Sequence, residues 1–430
     1  MGSSRCIFVS VLASACVGFS AQGRAQVAVA DEPVYGAISA QDWADKKPAR
    51  TAAKKRKIDP YTLTGYDDGV FSLKPSLEIG AVASDNSQFA AAGRQAGIGY
   101  ELKPSLSFAT AWPVHQWTGS VSGNWTSFSN NSASDGFAGT AQTEFRLDIR
   151  RNLFVNLDAS AVVSEAIAGQ QQVPGNATSA RRDWTIGSSA SVTDDFGHYQ
   201  GTAKLGVTRT SYGDVPLSTG VIIDNSALNY VEPSISLRGS MGDLRAPIKP
   251  FAEIAYTPRF HDQNGGLQNS HGAQVSLGIS LNDGPIWQGE IAAVAMGRVY
   301  ADPSLGVAFM GGVNGNLTWS PTALWSVTGS STVGMSESTA PGIGALPSWV
   351  LGINATYVAR ENLYLHGGAT MTLANNGGGI DQTITATGGA DYMFNRHFGV
   401  TGTAQSTWIN SSNSSSRDEQ RLMVGVLLKP

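Results

Sequence analysis

Phe137-Ala138-Gly139-Thr140-Ala141-Gln142-Thr143-Glu144-Phe145-Arg146-Leu147-Asp148-Ile149 alternates in character from end to end. In an extended chain successive side chains point to opposite faces. Phe137, Gly139, Ala141, Thr143, Phe145, Leu147 and Ile149 therefore share one face, and Ala138, Thr140, Gln142, Glu144, Arg146 and Asp148 the other. In a soluble sandwich the apolar face would be core. In a membrane barrel it would face lipid. The rest of the chain decides between these two.

The same alternation recurs on both sides of this stretch. Working outward, it marks strands over 69–84, 96–111, 115–128, 136–150, 153–164, 183–193, 198–211, 227–241, 248–261, 271–281, 286–299, 308–319, 323–335, 347–358, 363–373, 380–393, 398–408 and 419–428, eighteen in all. The even-numbered gaps are short, as at Arg151-Asn152, Asp194 to Gly197 and Phe394 to His397. The odd-numbered gaps are mostly longer, as at 85–95, 165–182, 212–226 and 336–346. Tight periplasmic turns alternating with larger external loops are the habit of outer-membrane barrels, and a sandwich has no reason to sort its loops so. An even count returns both termini to the short-turn side. No run after residue 25 approaches the 18 apolar residues of a helical span, and a closed barrel is the other way to satisfy every backbone group in lipid. Aromatic residues sit near the strand ends, among them Trp112, Trp117, Trp125, Trp184, Tyr256, Trp287, Trp319, Trp325, Trp349, Tyr357, Tyr392 and Trp408, as two interfacial girdles require. The expected fold is all-β, a single transmembrane antiparallel barrel of about 18 strands over 69–430.

Composition agrees. Charged residues make up 14% of the 430, against about 25% in an ordinary soluble domain, and glycine supplies 50 positions. The formal net charge of −4 argues against a nucleic-acid partner. Residues 1–25 read as a secretory signal, with Arg5 before an apolar Cys6–Phe19 run and a small-x-small site at Gly23-Arg24-Ala25. Ala13-Ser14-Ala15-Cys16 lacks the large aliphatic residue of a lipoprotein signal. Both cysteines, Cys6 and Cys16, fall inside 1–25, so thiol chemistry is not expected of the exported chain. Residues 26–68 lack periodicity and carry Lys46, Lys47, Arg50, Lys54, Lys55, Arg56 and Lys57. They read as a disordered periplasmic extension, either a solvated tail or a segment for an anionic partner.

Several pieces, taken in order, resemble the putative β-barrel porin 2 family over about 58–430. They are Pro75-Ser76-Leu77-Glu78-Ile79-Gly80 followed by Asp85-Asn86, Arg146-Leu147-Asp148-Ile149 before Arg151-Asn152, and Asp214-Val215-Pro216-Leu217 with Asp224-Asn225-Ser226. Trp319-Ser320-Pro321-Thr322 and Arg360-Glu361-Asn362-Leu363 follow. The resemblance implies a bacterial outer-membrane barrel set in outer-membrane lipid and lipopolysaccharide and inserted by the barrel assembly machinery. Some members of the family serve exopolysaccharide secretion beside a periplasmic polysaccharide-export protein, which makes such a partner an implied one here. The chain departs from the family in having Ser, Thr and Gly where arginine and tyrosine are common. It also ends Leu427-Leu428-Lys429-Pro430 rather than on an aromatic residue.

No catalytic pattern stands out. His115, His198, His261, His271, His366 and His397 are scattered, and there is no HExxH, GxSxG or phosphate-binding loop. No enzyme, cofactor or metal is expected. The functional surface is then the lumen of a barrel wide enough for an aqueous channel. Period-2 reading turns Glu144, Arg146, Asp148, Arg150, Asp158, Lys204, Glu232, Arg238, Glu253, Arg259, Glu290, Arg298, Asp391 and Arg421 inward as pore-lining residues. Phe145, Leu147, Ile149, Val155, Leu157, Ile235, Leu237, Val275, Leu277 and Ile279 face lipid. A three-residue loop over 151–153 would pair Arg146 with Asp158 across the hairpin. The expected function is a porin-like channel for hydrophilic material, with a non-conducting structural or adhesion barrel as the alternative.

Overall fold

The computed structural model describes residue 61 and residues 65–429, apart from 131–134, 167–172, 174–176, 243–245, 264–266, 284–285, 338–343, 376–378 and 413–414. The signal expected over 1–25 and the extension expected over 26–60 lie outside the described residues.

Eighteen antiparallel strands form one closed barrel. They are β1 (Phe71–Ser84), β2 (Gly97–Thr110), β3 (Gln116–Phe128), β4 (Gly136–Arg150), β5 (Leu153–Ala166), β6 (Arg181–Asp195), β7 (Tyr199–Tyr212), β8 (Tyr230–Met241) and β9 (Ile248–His261). The second half comprises β10 (Ser270–Asp283), β11 (Trp287–Tyr300), β12 (Val307–Thr322), β13 (Trp325–Glu337), β14 (Ala345–Arg360), β15 (Leu363–Asn375), β16 (Ile380–Met393), β17 (Phe398–Asn410) and β18 (Arg417–Leu428). Each strand pairs with its neighbours in sequence. β1 closes on β18 from Leu77 opposite Leu428 to Ser84 opposite Arg421. The lower part of β1 is flanked by Tyr66–Asp67 instead, which lies opposite Leu73 and Ser72. Closure leaves no free edge along most of the wall, the condition for strands to stand in hydrocarbon. Both ends of the barrel chain lie on the short-turn side, where the Lys429 amide donates to His397 O in the turn between β16 and β17.

The outer face is apolar over the middle of the strands. Ile235, Leu237, Val275, Leu277 and Ile279 are all exposed there. Aromatic rings gather at the short-turn rim. Trp325 stacks on Tyr357 at 4.6 Å and Trp287 on Trp319 at 5.9 Å between centroids. Trp112 and Trp117 meet Phe71 edge-on at 6.4 and 6.0 Å. Trp125, Trp184, Tyr256 and Trp408 stand exposed near the other end. Trp349 is different: it packs against a cluster of Phe251, Ala292, Val294 and Val333.

The hairpin β4–β5 corrects the expected register. Arg146 lies opposite Asn156, Glu144 opposite Asp158, Leu147 opposite Val155 and Phe145 opposite Leu157. The Arg146–Asp158 pairing is therefore displaced by two residues. The loop is the two-residue Arg151-Asn152 turn, and a bulge between Asp148 and Arg150 absorbs the odd residue. A bulge sets two residues against one and so restores parity. It keeps Glu144, Arg146 and Asp148 on one face but turns Arg150 away from it. Arg150 stands opposite Leu153 and donates to Asp194 at 2.9 Å on the short-turn rim.

Candidate functional site

Small polar residues and glycine leave room on the inner side of the strands, and charged side chains then meet across several strands at once. Arg238 of β8 stands opposite Glu253 of β9. Its guanidinium reaches past β9 and β10 to Glu290 of β11 at 2.8 Å and bonds Ser280 at 2.9 Å. It lies over the Phe251 ring, 3.6 Å from the centroid, and Glu253 is 3.8 Å away. A side chain can bridge four strands in this way only on the concave side of a curved sheet, so these residues share the inner face.

A second group occupies the same strands nearer the long loops. Glu232 of β8 accepts from Arg259 Nε of β9 and, at 3.0 Å, from Arg298 Nη2 of β11. Arg298 also donates to Ser270 Oγ at 2.9 Å and Thr257 Oγ1 at 3.3 Å. Arg259 lies over the Tyr230 ring at 4.7 Å and donates to Met335 O of β13 at 3.2 Å. All three charged side chains are almost fully buried. Hydrogen bonds to charged partners are shorter and about twice as strong as neutral ones, and they offset the desolvation of such a group.

The β4–β7 sector carries acids facing each other. Directly opposed like charges are destabilising. Glu144 and Asp158 both feel Lys204 of β7 as a nearby opposite charge, and Ser189 donates to Asp158 at 3.3 Å. Arg146 is held by Asp148 at 3.0 Å and lies over Phe154 at 4.0 Å. Elsewhere Arg421 bonds Glu419 at 2.7 Å, Ser84 donates to Glu419 at 2.6 Å, and His366 approaches Asp391 at 3.5 Å.

The sequence-named residues thus gather into separate groups rather than one site, and Arg150 leaves the inner row. Sequence reasoning did not name Glu78, Glu101 and Lys103, although Lys103 Nζ stands 3.2 Å from Glu101 and 3.4 Å from Glu78. Period 2 through Glu101-Leu102-Lys103 carries that signal. Nor did it name the buried Arg181–Asp183 pair, at 2.9 Å. Arg181 begins β6 two residues earlier than the alternation suggests.

A family model described as putative beta-barrel porin 2 matches residues 59–430. No curated protein matches the chain. Among solved structures, the outer membrane channel DcaP of Acinetobacter baumannii is 10% identical, with a TM-score of 0.41 over 86% of this chain and 100% of that one. The outer membrane protein opdK of Pseudomonas aeruginosa is 10% identical, with a TM-score of 0.38 over 84% and 99%. The siderophore receptor PirA of Acinetobacter baumannii is 7% identical, with a TM-score of 0.40 over 83% and 80%. Strand order, girdles and family match agree: the chain belongs to the putative β-barrel porin 2 family and is a porin-like β-barrel of the bacterial outer membrane.

Proposed function

We propose that the barrel passes hydrophilic material across the outer membrane through a lumen lined by Glu144, Arg146, Asp148, Asp158, Lys204, Arg238, Glu253, Glu290 and Arg421, with Glu232, Arg259, Arg298 and Asp391 buried beneath its surface. The observation that carries this reading is the Arg238–Glu253–Glu290 group. It places charge on the concave face of an eighteen-stranded wall, where nothing but water or a polar solute would justify it. Acids and bases are paired along that face, so the selectivity expected is weak. Between the groups lie serine, threonine and asparagine, such as Thr318, Thr328 and Asn316, which offer many single hydrogen bonds and few strong ones. That chemistry suits a glycan chain in transit. It supports the finer reading of a barrel that works with a periplasmic polysaccharide-export protein in exopolysaccharide secretion.

The test is a planar-bilayer recording of the purified barrel in potassium chloride. A stable conductance with a small reversal potential in a salt gradient is expected, reduced in steps by a neutral oligosaccharide added to one side. A folded barrel that carries no current would instead support a structural barrel anchoring an envelope complex.

Selectivity should respond to the opposed acids. Glu144→Gln together with Asp158→Asn leaves Lys204 and Arg146 without those counter-charges. The reversal potential is expected to move toward anions while heat-modifiable gel migration stays that of the folded barrel. An unchanged reversal potential would remove these two residues from the ion path.

A further inference from the structure

One seam of the wall is open. β12 pairs with β11 from Trp319 opposite Trp287 up to Val307 opposite Val299. Its pairing with β13 ends at Gly315 opposite Ser331. Above that point residues 307–314 have no ladder partner on this side among the described residues. β13 nevertheless continues to Glu337, paired with β14 up to Glu337 opposite Ala345. The upper β13–β14 ribbon has left β12 and lies inside the barrel.

Four contacts hold it there. Val333 is 2% exposed and packs against Phe251, Ala292 and Val294, which belong to β9 and β11. The Val333 amide donates to Asn314 Oδ1 at 2.7 Å, a side chain standing in for the missing strand. Met335 O accepts from Arg259 at 3.2 Å. Ser331 Oγ donates to Val313 O at 2.5 Å at the point of departure. Gly312 makes room for the ribbon, since a Cβ there would come within 2.4 Å of Val333 Cγ1. The fit is incomplete: a cavity of about 60 Å³ remains between ribbon and wall, lined in part by Glu232, Arg298, Asn314 and Met335.

The alternation of β13 argues for a second position. Trp325, Val327, Gly329, Ser331, Val333 and Met335 share one face, and Ser326, Thr328, Ser330, Thr332 and Gly334 the other. The lower part of the first row looks outward, with Trp325 exposed. By period 2 Val333 and Met335 belong to the lipid-facing row. Continuing the Gly315–Ser331 register sets Val313 opposite Val333 and Gly311 opposite Met335. That arrangement would complete the ladder of β12 and return both side chains to lipid. Open edges are not tolerated in hydrocarbon, and lipid accepts a valine as readily as an apolar patch does. The free edge of β12 thus favours the zipped position, and the contacts of Val333 and Met335 favour the tucked one.

We propose that the upper β13–β14 ribbon is a displaceable gate, constricting the lumen when tucked behind β12 and widening it when zipped on to the free edge of β12. This rests on the channel reading above. Two cysteine pairs trap the two positions. Gly312→Cys with Val333→Cys matches the tucked one, because an ideal Cβ on residue 312 lies 3.5 Å from Val333 Cβ, within disulfide range. Val313→Cys with Val333→Cys matches only the zipped one, because in the tucked ribbon these residues lie on opposite sides of β12.

Both pairs are expected to link in the membrane-embedded barrel on treatment with oxidant or a short bis-methanethiosulfonate linker, read by gel mobility. The Val313/Val333 form should conduct several-fold more than the Gly312/Val333 form. The wild-type barrel should switch between those two levels, and Gly312→Ala, whose Cβ would come within 2.4 Å of Val333 Cγ1 only in the tucked position, should favour the larger. Complete linking of the Gly312/Val333 pair with none of the Val313/Val333 pair overturns the gate, as do equal conductances of the two linked forms. Failure of both pairs to link overturns the tucked placement itself. If both pairs link and every form is silent, the channel reading fails while the ribbon exchange, read from the gel alone, stands.

Discussion

Glu232→Ala is expected to destabilise the barrel by about 3–5 kcal/mol, the usual cost of removing one partner from a buried charge pair. The reason is geometric. Glu232 serves two guanidiniums at once, Arg259 and Arg298, and all three side chains are nearly without solvent contact. Removing the carboxylate leaves both cations in a low-dielectric site with their shared counter-charge gone. The loss should appear as a lower urea midpoint for unfolding from lipid vesicles. Glu232→Gln keeps an acceptor and should fall between the variant and the wild type. A loss under about 1 kcal/mol for Glu232→Ala, the value of an exposed pair, would mean the group is wet and loosely held.

Leu277→Arg should cost about 2–4 kcal/mol in the bilayer, the depth-dependent penalty for a charge near the midplane of a lipid-facing strand. Leu277 sits in the middle of β10 and is 61% exposed on the outer face. Gln274, on the other face of the same strand, is half-buried and borders the polar cavity beside Glu232. Gln274→Arg should therefore be tolerated, because the side chain is of similar length and the new guanidinium has an acid near it. The comparison tests parity directly, since one residue of slip would exchange the two outcomes. Equal losses for both variants in the vesicle assay would contradict the facing of β10.

Much of this architecture is local and therefore legible along the chain. Strand number follows from counting alternating segments. Sidedness follows from turns such as Arg151-Asn152 set against gaps such as 212–226, and the outer face follows from rows such as Val275, Leu277 and Ile279. These features depend on period 2 and turn length, which any short window of sequence carries. Register depends on one residue more or less. The bulge beside Ile149 shifts Arg146 from Asp158 to Asn156 and turns Arg150 to Asp194. Nothing in the alternation announces it, because a bulge and a longer loop restore the same parity. The charge groups needed the closed sheet, since Arg238 and Glu290 are 52 positions apart and meet only through curvature. The tucked ribbon needed it most. By sequence Val333 belongs to the lipid row. Only the folded barrel offers Gly312 and the Phe251–Val294 patch as a second place to bury it, and the competition between two apolar surroundings is decided in three dimensions.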